Sequence, residues 1–466
     1  MLKRRPFLTM GAAFAFRSAA ARGATMTGFL SEWFGALDLG SRRLRLKLVV
    51  SEGPRSVLYS IDQGNSAIPA SQTKIEGDMI FISWPSITAS YAGQLAGGII
   101  TGRFTQGSML PLTFARTPVE EAKRPTPLTQ AQLTKLRAEA GAPAIAAAAF
   151  KVGGQRVALV EGVRAVGQAT TATTNDKWHI GSCGKSMTAT LVARAAEAGL
   201  ISWDDTVGTV LGKLAPGIRA EYLGVTYRHL LAHRSGLSAN IDLTELMKFP
   251  RVSADARADR LAYARAVLAQ PPAGRKETYF AYSNSGYVVA GAMLEVRLGA
   301  PWEKLIEDHV FAPLKMSSAG FGAPGTPGAF DQPIGHAAGA SGALEPYPPG
   351  APVNDNPAVL GPAGRVHVTL DDLLAYLSAH CSRSAFLRPE SWQTLHRPPF
   401  GGGYAMGWER RGDVIWHNGS NTLWYCEMQA DLARGIVAAA ATNDGRVNVV
   451  TATVGQALAS VSEAVA

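Results

Sequence analysis

A serine three residues ahead of a lysine, at the head of a helix, brings a hydroxyl and an amine together. This chain carries the pair at Ser182-Cys183-Gly184-Lys185. The Ala-rich run Ser186 to Leu200 that follows predicts a helix, which sets Ser182 and Lys185 on one face. Backbone N–H groups at a helix start favour developing negative charge. A hydroxyl, an amine and such N–H groups suit covalent attack on a carbonyl. The spacing also occurs at Ser71 to Lys74, where Pro69 precedes and Ile75-Glu76-Gly77-Asp78 follows, a turn-and-strand pattern with no helix behind it. The reading of Ser182 therefore depends on partners elsewhere in the chain.

Two segments offer them. Tyr282 and Asn284 flank Ser283 just before the apolar run Tyr287 to Leu298. A tyrosine can relay a proton, and an asparagine both donates and accepts hydrogen bonds. The same residues also suit a helix N-cap, with Ser283 or Asn284 closing the helix. Trp416-His417-Asn418-Gly419-Ser420 ends an apolar strand, where glycine lets a ligand approach the backbone. Cys183, beside Ser182, offers a thiol alternative but reads as a small buried residue of the first helical turn. With Cys381 and Cys426 it forms no metal spacing. His229 and His233, four apart, suggest a shared helix face as in zinc proteases. Leu230 stands where that motif needs its Glu, so they are read as packing and hydrogen-bonding residues, and no metal or cofactor is expected.

Around these residues the chain is long enough for two or three domains, at 466 residues and 47% hydrophobic. The formal charge of +9 overstates its basicity, because Lys3, Arg4, Arg5, Arg17 and Arg22 lie in residues 1–24 with no acid; without them it is +4. No Lys/Arg-rich run follows, which argues against nucleic-acid binding, and no nucleic-acid partner is expected. Residues 1–24 instead resemble a twin-arginine export signal: Lys3-Arg4-Arg5-Pro6-Phe7-Leu8 precedes the apolar stretch Leu8 to Phe16. The periplasm is the expected location. No stretch reaches the length of a membrane span, about 18 apolar residues.

Residues 27–118 read as a small all-β accessory domain. Arg43-Leu44-Arg45-Leu46-Lys47-Leu48 alternates strictly, and Gly53-Pro54, Gly77-Asp78 and Gly97-Gly98 mark turns. Residues 119–127, with Pro125 and Pro127, read as a linker. From 128 to 466, a short helix (Gln130 to Ala140) and two strand-like runs (Ala144 to Phe150, Arg156 to Glu161) precede a helical middle. Short apolar runs at Ile415-Trp416, Leu423 to Met428 and Ile436 to Ala441 precede a final helix, Val449 to Val465. Strands at both ends with helices between predict an α/β (α+β) sheet whose helical insert forms a second lobe. Gly320 to Gly361, rich in Gly, Pro and Ala, reads as a long substrate-facing loop.

The ordered set Ser182-Cys183-Gly184-Lys185, Tyr282-Ser283-Asn284 and His417-Asn418-Gly419 resembles the penicillin-recognising serine hydrolases, specifically their branch of class C β-lactamases, DD-peptidases and family VIII esterases. Leu230-Leu231-Ala232-His233-Arg234-Ser235-Gly236-Leu237, Pro362-Ala363-Gly364-Arg365 with Thr369-Leu370-Asp371-Asp372-Leu373, and Tyr404-Ala405-Met406-Gly407-Trp408 resemble further segments of that branch. The resemblance covers residues 128–466. It implies an antiparallel sheet flanked by helices with an all-helical lobe, Ser182 as the acylated nucleophile, Lys185 or Tyr282 as its base, and Asn284 holding the acyl amide. It further implies the N–H groups of Ser182 and Ser420 as an oxyanion hole, His417 as the third-motif residue, and Asn418 and Gly419 beside the substrate. Where many β-lactamases carry Lys-Thr-Gly, this chain has His417-Asn418-Gly419. A mostly neutral histidine there shifts the expectation from β-lactam hydrolysis toward cleavage of D-amino-acid peptides, including peptidoglycan-derived ones, or carboxylic esters. The alternatives are a class C type β-lactamase and a catalytically idle protein that binds penicillin or cell-wall fragments. No Gly-x-Ser-x-Gly occurs, which sets aside an α/β-hydrolase.

Overall fold

A computed structural model describes residues 28–38, 43–63, 65, 67–106, 108–120, 124–351 and 353–466. The stretch read as an export signal lies outside the described residues. Among the described residues no helix is long and apolar enough to cross a membrane. The chain forms two compact units that divide near Glu120.

The first unit is one antiparallel sheet running from the strand Ser31–Asp38 to the strand Ser108–Ala115. The alternation read in the sequence is its physical basis. Leu44, Leu46, Leu48 and Val50 turn inward from Arg43–Ser51 onto Trp33, Trp84 and Phe114, and the residues between them face outward. Ser71 and Lys74 belong to this unit, at the edge strand Gln72–Glu76. The Ser71 hydroxyl donates to the Ser83 carbonyl (3.2 Å), and Lys74 pairs with Glu76 (2.7 Å).

The second unit is built on six antiparallel strands: β1 (Ala144–Lys151), β2 (Arg156–Gly162), β3 (Glu409–Arg411), β4 (Val414–Ser420), β5 (Tyr425–Asp431) and β6 (Ile436–Thr442). Their order is β2-β1-β6-β5-β4-β3. The neighbouring strands β1 and β6 are alanine-rich, with Ala146 opposite Ala441 and Ala148 opposite Ala439. Small side chains on both faces let helices pack close on either side. Ile145, Ala147 and Ala149 meet α1 (Gln130–Ala140) and α5 (Val447–Glu463), while Ala144, Ala146 and Ala148 meet the helical lobe. That lobe includes α2 (Gly184–Glu197), α3 (Asn284–Leu298) and α4 (Leu370–Ser382). From Gly184 to Ala193, α2 is buried on all sides, and its polar side chains Ser186, Thr188 and Thr190 each find a hydrogen-bond partner there.

Two local expectations are corrected. Gly320–Gly361 is not a plain loop: Gly320–Phe321 joins a small sheet with Val366–Thr369 and Lys177–His179, and Gly335–Ala338 pairs with Leu344–Tyr347 as a hairpin. Backbone pairing needs no bulky side chains, so its composition concealed it. His229 and His233 do not share a helix face, because that helix, Tyr227–Leu231, ends before His233, whose backbone is left-handed (φ 57°).

Candidate active site

Ser182 occupies a single 3-10 turn, Gly181–Cys183, that runs directly into α2. Gly181 makes the turn possible, having φ +49° and lying so close to β4 that a Cβ there would sit 2.4 Å from the Ser420 nitrogen. Gly419 mirrors it, since a Cβ there would sit 2.4 Å from the Ser182 nitrogen and 2.1 Å from the Ile180 carbonyl oxygen. Two glycines thus bring the backbones at Ser182 and Ser420 side by side, an arrangement able to hold a carbonyl oxygen that gains charge. Ser182 is partly exposed, and Lys185 beneath it is fully buried.

The Lys185 Nζ has three oxygen neighbours: Ser182 Oγ at 2.9 Å, Asn284 Oδ1 at 2.7 Å and the Ala363 carbonyl at 2.6 Å. The rings of Tyr282 and Tyr287 lie 4.9 and 5.5 Å from it. Burial pulls its pKa down to about 7, so the neutral amine is populated at physiological pH. Two of the three neighbours are carbonyl oxygens that can only accept. In the neutral amine they take both N–H bonds and leave the lone pair facing the Ser182 hydroxyl.

Asn284 is the first residue of α3, and Ser283 is its cap, with a hydroxyl accepting from Gly286 N at 3.0 Å. The capping reading and the site reading are therefore both satisfied, by neighbouring residues. The Asn284 amide also donates to Asn240 Oδ1 (3.0 Å), which fixes which end faces Lys185. Tyr282 is 39% exposed as a residue, yet desolvation pushes its phenol well above the ordinary value, opposed by a hydrogen bond with Ser182. It stays protonated at neutral pH.

His233, read from the sequence as a packing and hydrogen-bonding residue, does both here and holds this tyrosine. Its carbonyl accepts from Ala281 N (3.0 Å), its Nδ1 accepts from Ser283 N (3.1 Å), and its ring centroid lies 4.3 Å from that of Tyr282. The segment Leu230 to Leu237 was the available signal. Tyr404 and Ala363 had the same kind of signal, each lying within a segment that carried the resemblance.

His417 stands behind Tyr282, with ring centroids 6.5 Å apart. Its side-chain partners are Tyr404 Oη (2.9 Å) and the Asn418 carbonyl (2.5 Å), and neither is Ser182 or Lys185. Burial, with the nearby Lys185 charge, pulls its pKa down to about 3, so it is uncharged. Asn418 corrects an expectation. Its amide donates to Tyr425 Oη (3.0 Å), which belongs to the core on the α1 and α5 side of the sheet, so its side chain turns away from Ser182. The Cys183 thiol points at the β4 and β5 backbone, 3.7 Å from the His417 carbonyl and 3.9 Å from that of Cys426, and burial pushes its pKa up; it is no rival to Ser182.

Comparison with known proteins gives the chain a family. The family described as Beta-lactamase matches residues 129–461. The chain belongs to the beta-lactamase family. Within it, Penicillin-binding protein 4 of Amycolatopsis lactamdurans is 30% identical over 258 residues, which is 54% of this chain; the match spans 62% of that relative's length. Solved beta-lactamase-like folds include D-amino acid amidase from Ochrobactrum anthropi SV3, complexed with D-phenylalanine (TM-score 0.58, 20% identity, 72% of this chain and 98% of that one). A D-stereospecific amidohydrolase from Streptomyces sp. has TM-score 0.54 at 20% identity, over 70% of this chain and 98% of that one. The beta-lactamase fold and a hydrolase of that general kind follow.

Proposed function

We propose that this protein is an exported serine hydrolase that forms an acyl-enzyme on Ser182 and cleaves D-amino-acid peptide amides or carboxylic esters. The observation that carries the reading is Lys185, a buried amine with a pKa of about 7 whose two N–H bonds are taken by Asn284 and Ala363 and whose third direction faces the Ser182 hydroxyl. Lys185 takes the Ser182 proton as Oγ attacks the carbonyl carbon. Tyr282, held protonated, is the acid and not the initial base: it gives its proton to the leaving amine or alcohol and regains one from Lys185. The N–H groups of Ser182 and Ser420 stabilise the tetrahedral oxyanion, each worth about 3 kcal/mol in comparable sites. Water then cleaves the ester by the reverse sequence, freeing Ser182.

His417 narrows the substrate. Without charge, it offers no attraction to a free carboxylate, which supports a substrate neutral beyond the scissile bond and weighs against a class C type β-lactamase. The neighbours' names, amidase and amidohydrolase, agree with amide cleavage.

The test is mass spectrometry of the whole protein after mixing with a penicillin and with p-nitrophenyl acetate, for wild type and Ser182→Ala. An acyl mass on wild type, absent from the variant, and release of p-nitrophenol are expected. An adduct that persists in the variant overturns the assignment of Ser182. A stable penicilloyl adduct without ester turnover identifies a binding protein instead of a hydrolase.

A further inference from the structure

Three backbone segments must stay in register for this site to work: the turn that carries Ser182, the turn that presents the Ala363 carbonyl to Lys185, and the strand end that carries Ser420. They come from distant parts of the chain, and one buried carboxylate contacts a side chain beside each of them. Asp355 Oδ1 accepts from Asn421 Nδ2 (2.9 Å) and lies 3.2 Å from His179 Nε2, while Oδ2 accepts from Arg365 Nε (3.1 Å). All four residues are buried.

Each contact leads to one segment in a single further step. The other ring nitrogen of His179 accepts from Gly181 N at 3.2 Å, and Gly181 is joined to Ser182. Arg365 follows Gly364, where a Cβ would lie 2.9 Å from the Gly181 carbonyl carbon and 3.1 Å from the Ser182 nitrogen, and Gly364 follows Ala363. Asn421 Oδ1 accepts from Leu423 N and Trp424 N, both at 3.2 Å, and so shapes the turn that leaves Ser420. The carboxylate is held in place by Asn356 N (2.7 Å), and its own carbonyl by Arg251 Nε (2.7 Å). A buried charge with this many donors is costly to lose, because each donor is then left unpaired.

Building on the reading of Ser182 as the nucleophile, we propose that Asp355 is a positioning residue for the reaction: its carboxylate fixes the oxyanion N–H pair and the Lys185 acceptor relative to Ser182 without touching substrate. Asp355 stands in the glycine- and proline-rich segment that the sequence presented only as a substrate wall. Its distance from the reacting atoms makes the effect one of alignment, and misplacement on the scale of 1 Å can cost about 100-fold in rate.

The test compares wild type, Ser182→Ala, Asp355→Asn and Asn421→Ala, using p-nitrophenyl acetate turnover and inhibition by phenylboronic acid, whose tetrahedral adduct on a serine mimics the charged intermediate. Asp355→Asn is expected to lower kcat about 100-fold and weaken boronate inhibition by a similar factor, with KM changed less than about threefold. Asn421→Ala removes one arm only and is expected to lower kcat about 10-fold, with near-UV circular dichroism unchanged. If Asp355→Asn does not fold, Asn421→Ala decides. A folded Asp355→Asn, or failing that an Asn421→Ala, with kcat and boronate affinity within twofold of wild type overturns the proposal. Turnover that survives in Ser182→Ala instead overturns the reading of the nucleophile.

Discussion

The Lys185 amine lies 2.6 Å from the carbonyl oxygen of Ala363, a residue 178 positions further along the chain. That oxygen cannot donate, so with Asn284 Oδ1 it dictates where the lysine protons point and where its lone pair points. Since burial sets the amine near pH 7, the fraction in the reactive neutral form rises as pH climbs through that value. The acylation rate, kcat/KM for p-nitrophenyl acetate, is expected to rise along a limb with apparent pKa about 7. Lys185→Arg, permanently charged, is expected to lose at least about 100-fold. A wild-type profile flat from pH 5.5 to 8.5 would remove Lys185 as the base.

The glycines on either side of the Ser182–Ser420 contact leave no room for a methyl group. Gly419→Ala forces the strand away from the turn and separates the two N–H groups. A fall in kcat of about 100-fold or more is expected, comparable to removing one oxyanion donor. Measured kcat within threefold of wild type would mean that the two backbones do not act together.

A neutral His417 has a consequence for substrate choice that two compounds can measure. D-alanyl-D-alanine amide and D-alanyl-D-alanine differ in whether the end of the dipeptide carries a charge. Hydrolysis of the amide form is expected to match or exceed that of the free acid in kcat/KM. A clear preference for the free acid would place a cation in the pocket and contradict this picture.

Buried uncharged histidines also set the acid limit of the fold. Burial holds His417 and His396 each near a pKa of about 3, and His233 and His380 well below 6.5. In the unfolded chain these rings take up protons below about pH 6.5, so the unfolded state binds more protons and stability falls as pH drops from 6.5 toward 3. Each ring contributes up to about 1.4 kcal/mol per pH unit in that window. The urea midpoint is expected to be lower at pH 5 than at pH 7.5, and an unchanged midpoint would refute the linkage.

Much of this was legible in the residues. Helix α1 and strands β1 and β2 lie where the sequence placed a short helix and two strand-like runs, β1 being apolar from Ala144 to Phe150. Ser182, Lys185, Tyr282 and Asn284 were legible because their neighbours carry strong local signals, a helix start in each case. The Asn418 side chain was misjudged, since the strand's alternation decides its face and Tyr425 across the strand supplies its partner. Asp355 gave no signal at all. Its partners His179, Arg365 and Asn421 lie 176, 10 and 66 residues away, and only the folded chain assembles them.

The alanine seam between β1 and β6 joins an early part of the unit to a late one, with Ala144 N bonded to the Asn443 side chain across 299 positions. The strand that pairs with β1 along this seam is therefore made long after β1 itself. Until residue 442 has emerged, β1 has β2 on one side and lacks β6 on the other. Closing so long a loop is slow and gains little until the pairing is made. A nascent chain of this protein is thus expected to wait for β6 before this part of the sheet can close.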